Sequence, residues 1–507
     1  MESIPPPPPL PAALPPQPRP VSRPEPARQD DLTLVWTGLA TLLGLFFLFG
    51  LAWVLFADNI PWADADFYFR GAKSLAEGDG YRHPFSAARE ATAFHPVGYP
   101  WFLAFVWRVF GIDTAGCDVS SWPALNGCGS MIQAGQIANL VLATLNIGLV
   151  FVLGALMKGP RVALLGAALF ALIPSRLIFT SALMSEESFV TLVLAALIMM
   201  VLSVRRPDYV WLTAIGFGLA VGAAAYIRPL GIVLLPLPLV LVFGKAIQPR
   251  VALTQLAVGA IVAMAVLLPW ELRNHNELGG WSLVSNNGGI NLWIGCHLDS
   301  SGQLASNGQW MDWWSGDAPR SLNTPDERAN DAEAQRLGLQ CMREEPVAFA
   351  RLSLVKGLYT FREDWTYVNK WALNYRLPDR PVTPIVGEDT IDALTYLTNS
   401  VYLVLLPLAV VGAVATLFAP SVYRGLLGAS FAALALVPLL FFGEPRFHVP
   451  LFPMISIWAA DGILIVYGGL RSAAKETVDQ PTAATARGRA VANDSVGNEW
   501  KEEPWLR

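Results

Sequence analysis

Charge is scarce in this sequence. Charged residues make up 15% of the 507, against about 25% in an ordinary soluble domain. The 35 basic and 40 acidic residues leave a formal net charge of −5, and no run of lysine and arginine offers a nucleic-acid-binding block. Histidine and cysteine are few as well, five and four. Their spacing matches no zinc site, and the chain has neither a glycine-rich phosphate loop nor a nucleophile elbow. Apolar residues dominate instead, at 53%, with a mean hydropathy of +0.42. That balance excludes a disordered protein and argues against a soluble enzyme.

The apolar residues gather into about ten runs of roughly 15 to 27 residues, most of them long enough to cross a hydrocarbon core of ~30 Å. The runs lie near 33–56, 131–157, 162–180, 188–204, 209–226, 229–243, 251–269, 393–418, 425–441 and 449–470. They predict an all-α polytopic membrane protein of about ten transmembrane helices. Residues 1–32, with PPPPPLPAALPPQPRP, and 471–507 read as disordered cytoplasmic tails. The first of these lacks the short apolar stretch and cleavage site of a signal peptide. The body is then 33–470, interrupted by two long polar loops, 57–130 and 270–392.

Lysine and arginine set the orientation. Lys158 and Arg161, Arg205 and Arg206, Lys245 and Arg250, Arg424, Arg471 and Lys475 all fall on one side of a ten-span arrangement, with the basic N-terminal tail. That side is the cytoplasm, so both long loops face outward. The segment 98–110, GYPWFLAFVWRVF, is too short to span and reads as an interfacial helix. All four cysteines lie in the external loops, where an even count suggests the disulfides Cys117–Cys128 and Cys296–Cys341; four free thiols are the alternative. All five histidines are external too, which places any chemistry on the outer face.

Four groups there carry chemical potential. Asp64, Tyr68, Ala72 and Leu75 share one stripe of a helix that Gly78 and Gly80 end. A carboxylate so placed suits a general base; capping the helix start is the other reading. Asp66 makes a D-x-D with Asp64, too short to specify a metal. Glu186 and Glu187 stand before an apolar run, where acidic residues complement the helix dipole. We expect that role for Glu187, while Glu186 could turn inward toward Asp64. Arg228 and Arg446 lie beside prolines on the outer side, against the charge bias. They could seat a phosphate in bidentate fashion, or pair with Glu186 and Glu444. The second loop holds Trp281, Trp293, Trp310, Trp313 and Trp314 with Asn286, Asn287 and Asn291, a composition suited to stacking on sugars or to anchoring at the interface. Residues 326–344 and 347–361 read as supporting helices.

In their order, these pieces resemble the GT-C superfamily of integral-membrane glycosyltransferases, in the branch of the protein mannosyltransferase-like and aminoarabinose lipid A transferase-like enzymes. The resemblance covers about 33–470. It rests on D-x-x-x-Y-x-x-x-A-x-x-L-x-x-G-x-G-Y from Asp64 to Tyr81, then HPVGYPWFLA with His95 and Tyr99, SEESF, YIRPLGIVLLP, LPWELRNHNELGGWSLVSNNGGINLWIG and PRFHVPLFP. It implies Asp64 as catalytic carboxylate, Glu186 as the second acidic position, a polyprenyl-phosphate sugar as donor and inversion at the anomeric carbon. Two departures count. Ala93-Phe94-His95 stands where aminoarabinose transferases carry Glu-Lys, and Asp64-Ala65 where protein mannosyltransferases carry Asp-Glu.

The sequence thus points to a hexosyl, pentosyl or uronosyl transferase of a bacterial plasma membrane, working outside on a cell-envelope glycan or lipid. Arg228 and Arg446 are its candidate phosphate ligands. Asp66, Tyr68, His95, Tyr99, Asn287 and Trp293 are candidate substrate contacts. The partners are the lipid donor, the acceptor and membrane lipids, with no nucleic acid; a divalent metal is left open. The competing class is a transporter or lipid-linked sugar flippase, which needs polar residues near mid-span. The runs look clean of them.

Overall fold

The computed structural model describes residues 29–56, 61–86, 88–120, 125–243, 248–309, 319–322, 324–364, 387–418 and 422–478. Among them there is no strand, only isolated bridges and helices. These are α1 (Gln29–Phe56), α2 (Asp64–Glu77), α3 (Gly98–Val109), α4 (Gly129–Lys158), α5 (Pro160–Ala171), α6 (Pro174–Ser181), α7 (Glu186–Arg205) and α8 (Val210–Ile227). They continue as α9 (Leu237–Phe243), α10 (Pro249–Leu278), α11 (Gly288–Gly295), α12 (Glu327–Glu344), α13 (Pro346–Phe361), α14 (Glu388–Phe418), α15 (Val422–Leu440) and α16 (Phe452–Val478).

All ten apolar runs are helical, but only seven of the helices are long and apolar enough to cross a membrane by themselves. The run at 162–180 is a pair, α5 and α6, bent by 57°. The break falls at Ile173, held extended before Pro174, as the residue ahead of a proline is expected to be. The runs at 229–243 and 425–441 give the shorter apolar segments Pro229–Val242 and Gly425–Leu440. In the first, proline imposes a 3₁₀ turn, Pro229–Leu234, ahead of α9. The last helix continues to Val478, beyond the expected boundary at 470.

One extensive core draws on α1 to α10 and α14 to α16. Small residues let helices meet closely in it. A Cβ on Gly218 of α8 would lie 2.5 Å from the Gly259 carbonyl oxygen of α10, and one on Gly412 of α14 would lie 1.9 Å from that of Trp458 in α16. The second loop folds around a smaller core in which α11 packs on α12. Cys117 is bonded to Cys128 and Cys296 to Cys341, the latter joining the end of α11 to α12.

The bundle interior is not free of polar groups, contrary to the expectation from the runs. Arg176 of α6 is buried; it donates to the carbonyls of Phe170 and Ala143 and to Glu187 Oε2 at 3.1 Å. Asn146, well inside α4, donates to the same Glu187 oxygen at 2.7 Å and accepts from Thr191. Glu187 stands in the first turn of α7, as expected of a helix-start charge, and is in addition a buried counter-ion to Arg176. The cause is the break before α6, which turns Arg176 inward and demands an anion.

Removing one member of a buried pair leaves the other uncompensated and costs about 3–5 kcal/mol. Glu187→Ala should accordingly melt well below the wild type in detergent, while an Arg176→Met/Glu187→Met double variant recovers much of the loss. An unchanged melting temperature for Glu187→Ala would show that the pair carries no stability.

Candidate active site

Asp64 is the first residue of α2. Ala63 launches that helix at a φ of 51° and supplies no side-chain cap. The Asp64 carboxylate does not turn back to cap the helix either. Its Oδ2 accepts from Arg446 Nη1 at 2.6 Å, and Oδ1 lies 3.8 Å from His95 Nε2. The side chain keeps 26% of its surface accessible, enough for a substrate group to reach it.

Arg446 comes from the 3₁₀ turn Pro445–Leu451. His448 anchors that turn: its Nδ1 lies 2.7 Å from the Thr360 carbonyl, Nε2 lies 3.3 Å from Asp364, and its ring stacks on Tyr402. Arg446 Nε stands 2.8 Å from Glu444 Oε2. Yet the Nε–H finds no acceptor in hydrogen-bonding alignment, so that contact is Coulombic only.

A second pair completes the cluster. Glu186 opens α7, fully buried, and accepts from Arg228 Nη2, while Arg228 Nε donates to Ser185 at 3.1 Å. Arg228 closes α8 in extended conformation just ahead of Pro229. The other Glu186 oxygen, Oε2, has no hydrogen-bond partner. The two pairs act on one another: Arg228 lowers the Asp64 pKa, and Glu186 raises that of Glu444.

Burial works to raise the Asp64 pKa, but Arg446, through its charge and its hydrogen bond, outweighs it and holds the carboxyl at about 2. Burial lowers the pKa of His95 despite the pull of Asp64, which favours a neutral imidazole. Burial also raises the Tyr68 pKa, with Asp64 adding to it, so the phenol stays protonated. Burial raises Glu444 as well, against the opposing pull of Arg446.

The candidate residues divide by location. Asp64, Glu186, Arg228, Arg446 and His95 meet. Tyr68 joins them through its ring, edge-on to His95 at 5.6 Å. Tyr99 sits one layer behind, against Tyr68, its hydroxyl 3.1 Å from Asn139. Asp66 points elsewhere: two residues along a helix is more than half a turn, and it is buried against Arg70 at 2.8 Å. Asn287 accepts from Ser285 at the start of α11. Trp293 is 2% exposed, stacked on His297 inside the smaller core, so its ring offers no face to a sugar. Trp281 is exposed and stacks on His275. Trp310, Trp313 and Trp314 lie outside the described residues.

Positioning residues emerge that the sequence did not mark. Glu327, at the start of α12, accepts from the Ala93 amide at 2.7 Å, Thr92 Oγ1 at 2.7 Å and Asn286 at 2.9 Å. It ties the two external loops together immediately before His95. Gly98 lets α3 start against α8, where a Cβ would lie 2.6 Å from the Tyr226 carbonyl. Among the described residues no group of three or more His, Cys, Asp or Glu is arranged to hold a metal ion. Each carboxylate here is already engaged by arginine, and no step below runs through a metal.

No family model and no curated protein matches the chain. Solved structures do. The apo oligosaccharyltransferase of Archaeoglobus fulgidus aligns with a TM-score of 0.51 at 14% identity, over 88% of this chain and 53% of that one. The same enzyme, AglB, in complex with an inhibitory peptide and a dolichol-phosphate aligns equally well, over 88% and 52%. The chain thus spans about half the length of those proteins. ArnT from Cupriavidus metallidurans, bound to undecaprenyl phosphate, aligns at 13% identity over 88% and 81%, with a TM-score of 0.42. The chain shares the fold of that oligosaccharyltransferase, in keeping with the GT-C resemblance of its ordered motifs.

Proposed function

We propose that the chain is an inverting glycosyltransferase that moves one sugar from a polyprenyl-phosphate donor to a cell-envelope glycan or lipid. The observation that carries this reading is one accessible carboxylate, Asp64, paired with the Arg446 guanidinium and within electrostatic reach of a second, Arg228, which comes from a separate element and is itself paired with Glu186. Asp64 accepts the proton of an acceptor hydroxyl while that oxygen attacks the anomeric carbon. The bond from that carbon to the phosphate oxygen breaks on the opposite face, and the lipid phosphate leaves with the electron pair. Arg228 and Arg446 stabilise the charge that gathers on it. Lipid phosphate is a good leaving group, so positioning and electrostatics supply most of what is needed.

The excess of Lys and Arg in the loops at the opposite end supports an outward-facing site, and a bacterial plasma membrane is the setting we infer for it. A non-protein acceptor agrees with Asp64-Ala65 in place of the Asp-Glu of protein mannosyltransferases. A flippase for lipid-linked sugars is the second reading. What favours it is the buried Arg176–Glu187–Asn146 network inside the bundle. Those groups bond to one another through Glu187 Oε2 and include no exposed charge, which suits structure better than passage.

Purified protein, radiolabelled polyprenyl-phosphate sugars and a membrane extract separate the two. An enzyme moves label into a new product; a flippase moves it across a liposome without changing it. Asp64→Asn should lower transfer by about 10²–10⁴-fold and leave lipid binding intact. Arg446→Lys should weaken donor use severely, because lysine keeps the charge but not the fork. Full transfer by Asp64→Asn would remove that residue from the mechanism. Orientation has its own check: in whole cells an impermeant maleimide should label Ser300→Cys and spare Asp208→Cys, both exposed positions. The opposite pattern would invert the topology.

A further inference from the structure

The cluster holds one more carboxylate than it has arginines. Asp64, Glu186 and Glu444 face Arg228 and Arg446. Asp64 and Glu186 each accept a hydrogen bond from a guanidinium. Glu444 has only a 2.8 Å Coulombic contact with Arg446 Nε, and that Nε–H, buried, is left without an acceptor. An unmade donor on a buried guanidinium is costly to maintain, and a phosphate oxygen matches it.

We propose that Glu444 holds the phosphate's place on Arg446 in the resting protein and yields it by taking up a proton, so that an anionic lipid phosphate binds with uptake of one proton. The inference rests on the phosphate seat proposed above. Of the three carboxylates Glu444 is the least firmly held. It directly precedes Pro445 and the turn that carries Arg446, so it can withdraw without moving a helix. A second anion brought beside Asp64, Glu186 and an ionised Glu444 would meet three like charges in a confined space.

The titratable and charged groups around Glu444 favour the same sign. Burial raises its pKa, Arg446 and Arg228 oppose the rise, and Asp64 and Glu186 add to it. His95, beyond Asp64, is held towards its neutral form. On α13, Lys356 is directed to the carbonyls of Leu439 and Leu440. A phosphate that engages Arg446 removes the chief opposition, and the Glu444 pKa climbs further. Between the resting and bound values the complex carries the extra proton. Affinity therefore rises as pH falls through that window, by at most about tenfold per pH unit, and levels off below it.

Calorimetric titration tests this with the full chain in detergent. The probe is a short-chain polyprenyl methyl phosphate, a diester whose single charge does not titrate near neutrality. Binding heats in two buffers of different ionisation enthalpy give the protons exchanged. Wild type should take up as much as one proton per ligand. Glu444→Gln should take up none and bind with an affinity independent of pH. Asp64→Asn, which removes the other carboxylate on Arg446, should keep the uptake. Absence of uptake by wild type, persistence of it in Glu444→Gln, or loss of it in Asp64→Asn would each overturn the proposal while leaving a phosphate seat in place. Absence of binding in every buffer would remove the seat and this proposal together.

Discussion

Asp64 and Arg446 are 382 residues apart in sequence and 2.6 Å apart in the fold. A carboxylate and a guanidinium in a largely desolvated place attract far more strongly than in water, and each is expensive to leave alone. That pairing requirement organises the end of the bundle that carries the site. It draws the start of α2 onto the turn after α15, and through Glu186 and Arg228 it draws the start of α7 onto the end of α8. Four chain segments that share no local structure are gathered by complementary charge.

The scaffold makes the gathering precise enough to matter. Proline opens the next helical turn at Pro174, Pro229 and Pro445, and charged side chains stand beside those starts. Glycine permits the close approaches of α8 with α10 and of α14 with α16. Each disulfide cross-links one of the two long loops, and Glu327 ties the two loops to each other. Arg176 and Glu187 repeat the charge-pairing principle deeper in the bundle, where no substrate group is needed to explain them.

Much of this was legible from residue types. Long apolar runs become helices, because a chain in lipid must satisfy its backbone internally. Asp64, Glu186, Arg228 and Arg446 stood out because ionisable residues beside apolar runs need partners. What the sequence withheld is direction. Whether a carboxylate faces solvent or a buried arginine depends on packing between distant segments. Glu187 is the helix-start charge it looked like, but nothing marked it as the counter-ion of a buried arginine; Trp293 looked like a stacking platform and fills a core. The apolar runs around Pro229 and at 425–441 matched the composition of a span, yet their helices are short. Glu327 and His448 were not marked, because their partners, main-chain and side-chain alike, come from distant segments brought together by the tertiary fold.

The account turns on a claim about place: a lipid phosphate sits between Arg228 and Arg446, within reach of Asp64. An electron cryo-microscopy structure of the full chain with a polyprenyl phosphate tests it most directly. The account predicts phosphate density touching both guanidiniums, with Glu444 turned away from Arg446 and the Asp64 carboxylate open to an incoming hydroxyl. Phosphate density at another site, with the Arg228–Glu186, Arg446–Asp64 and Arg446–Glu444 contacts all intact, would contradict it.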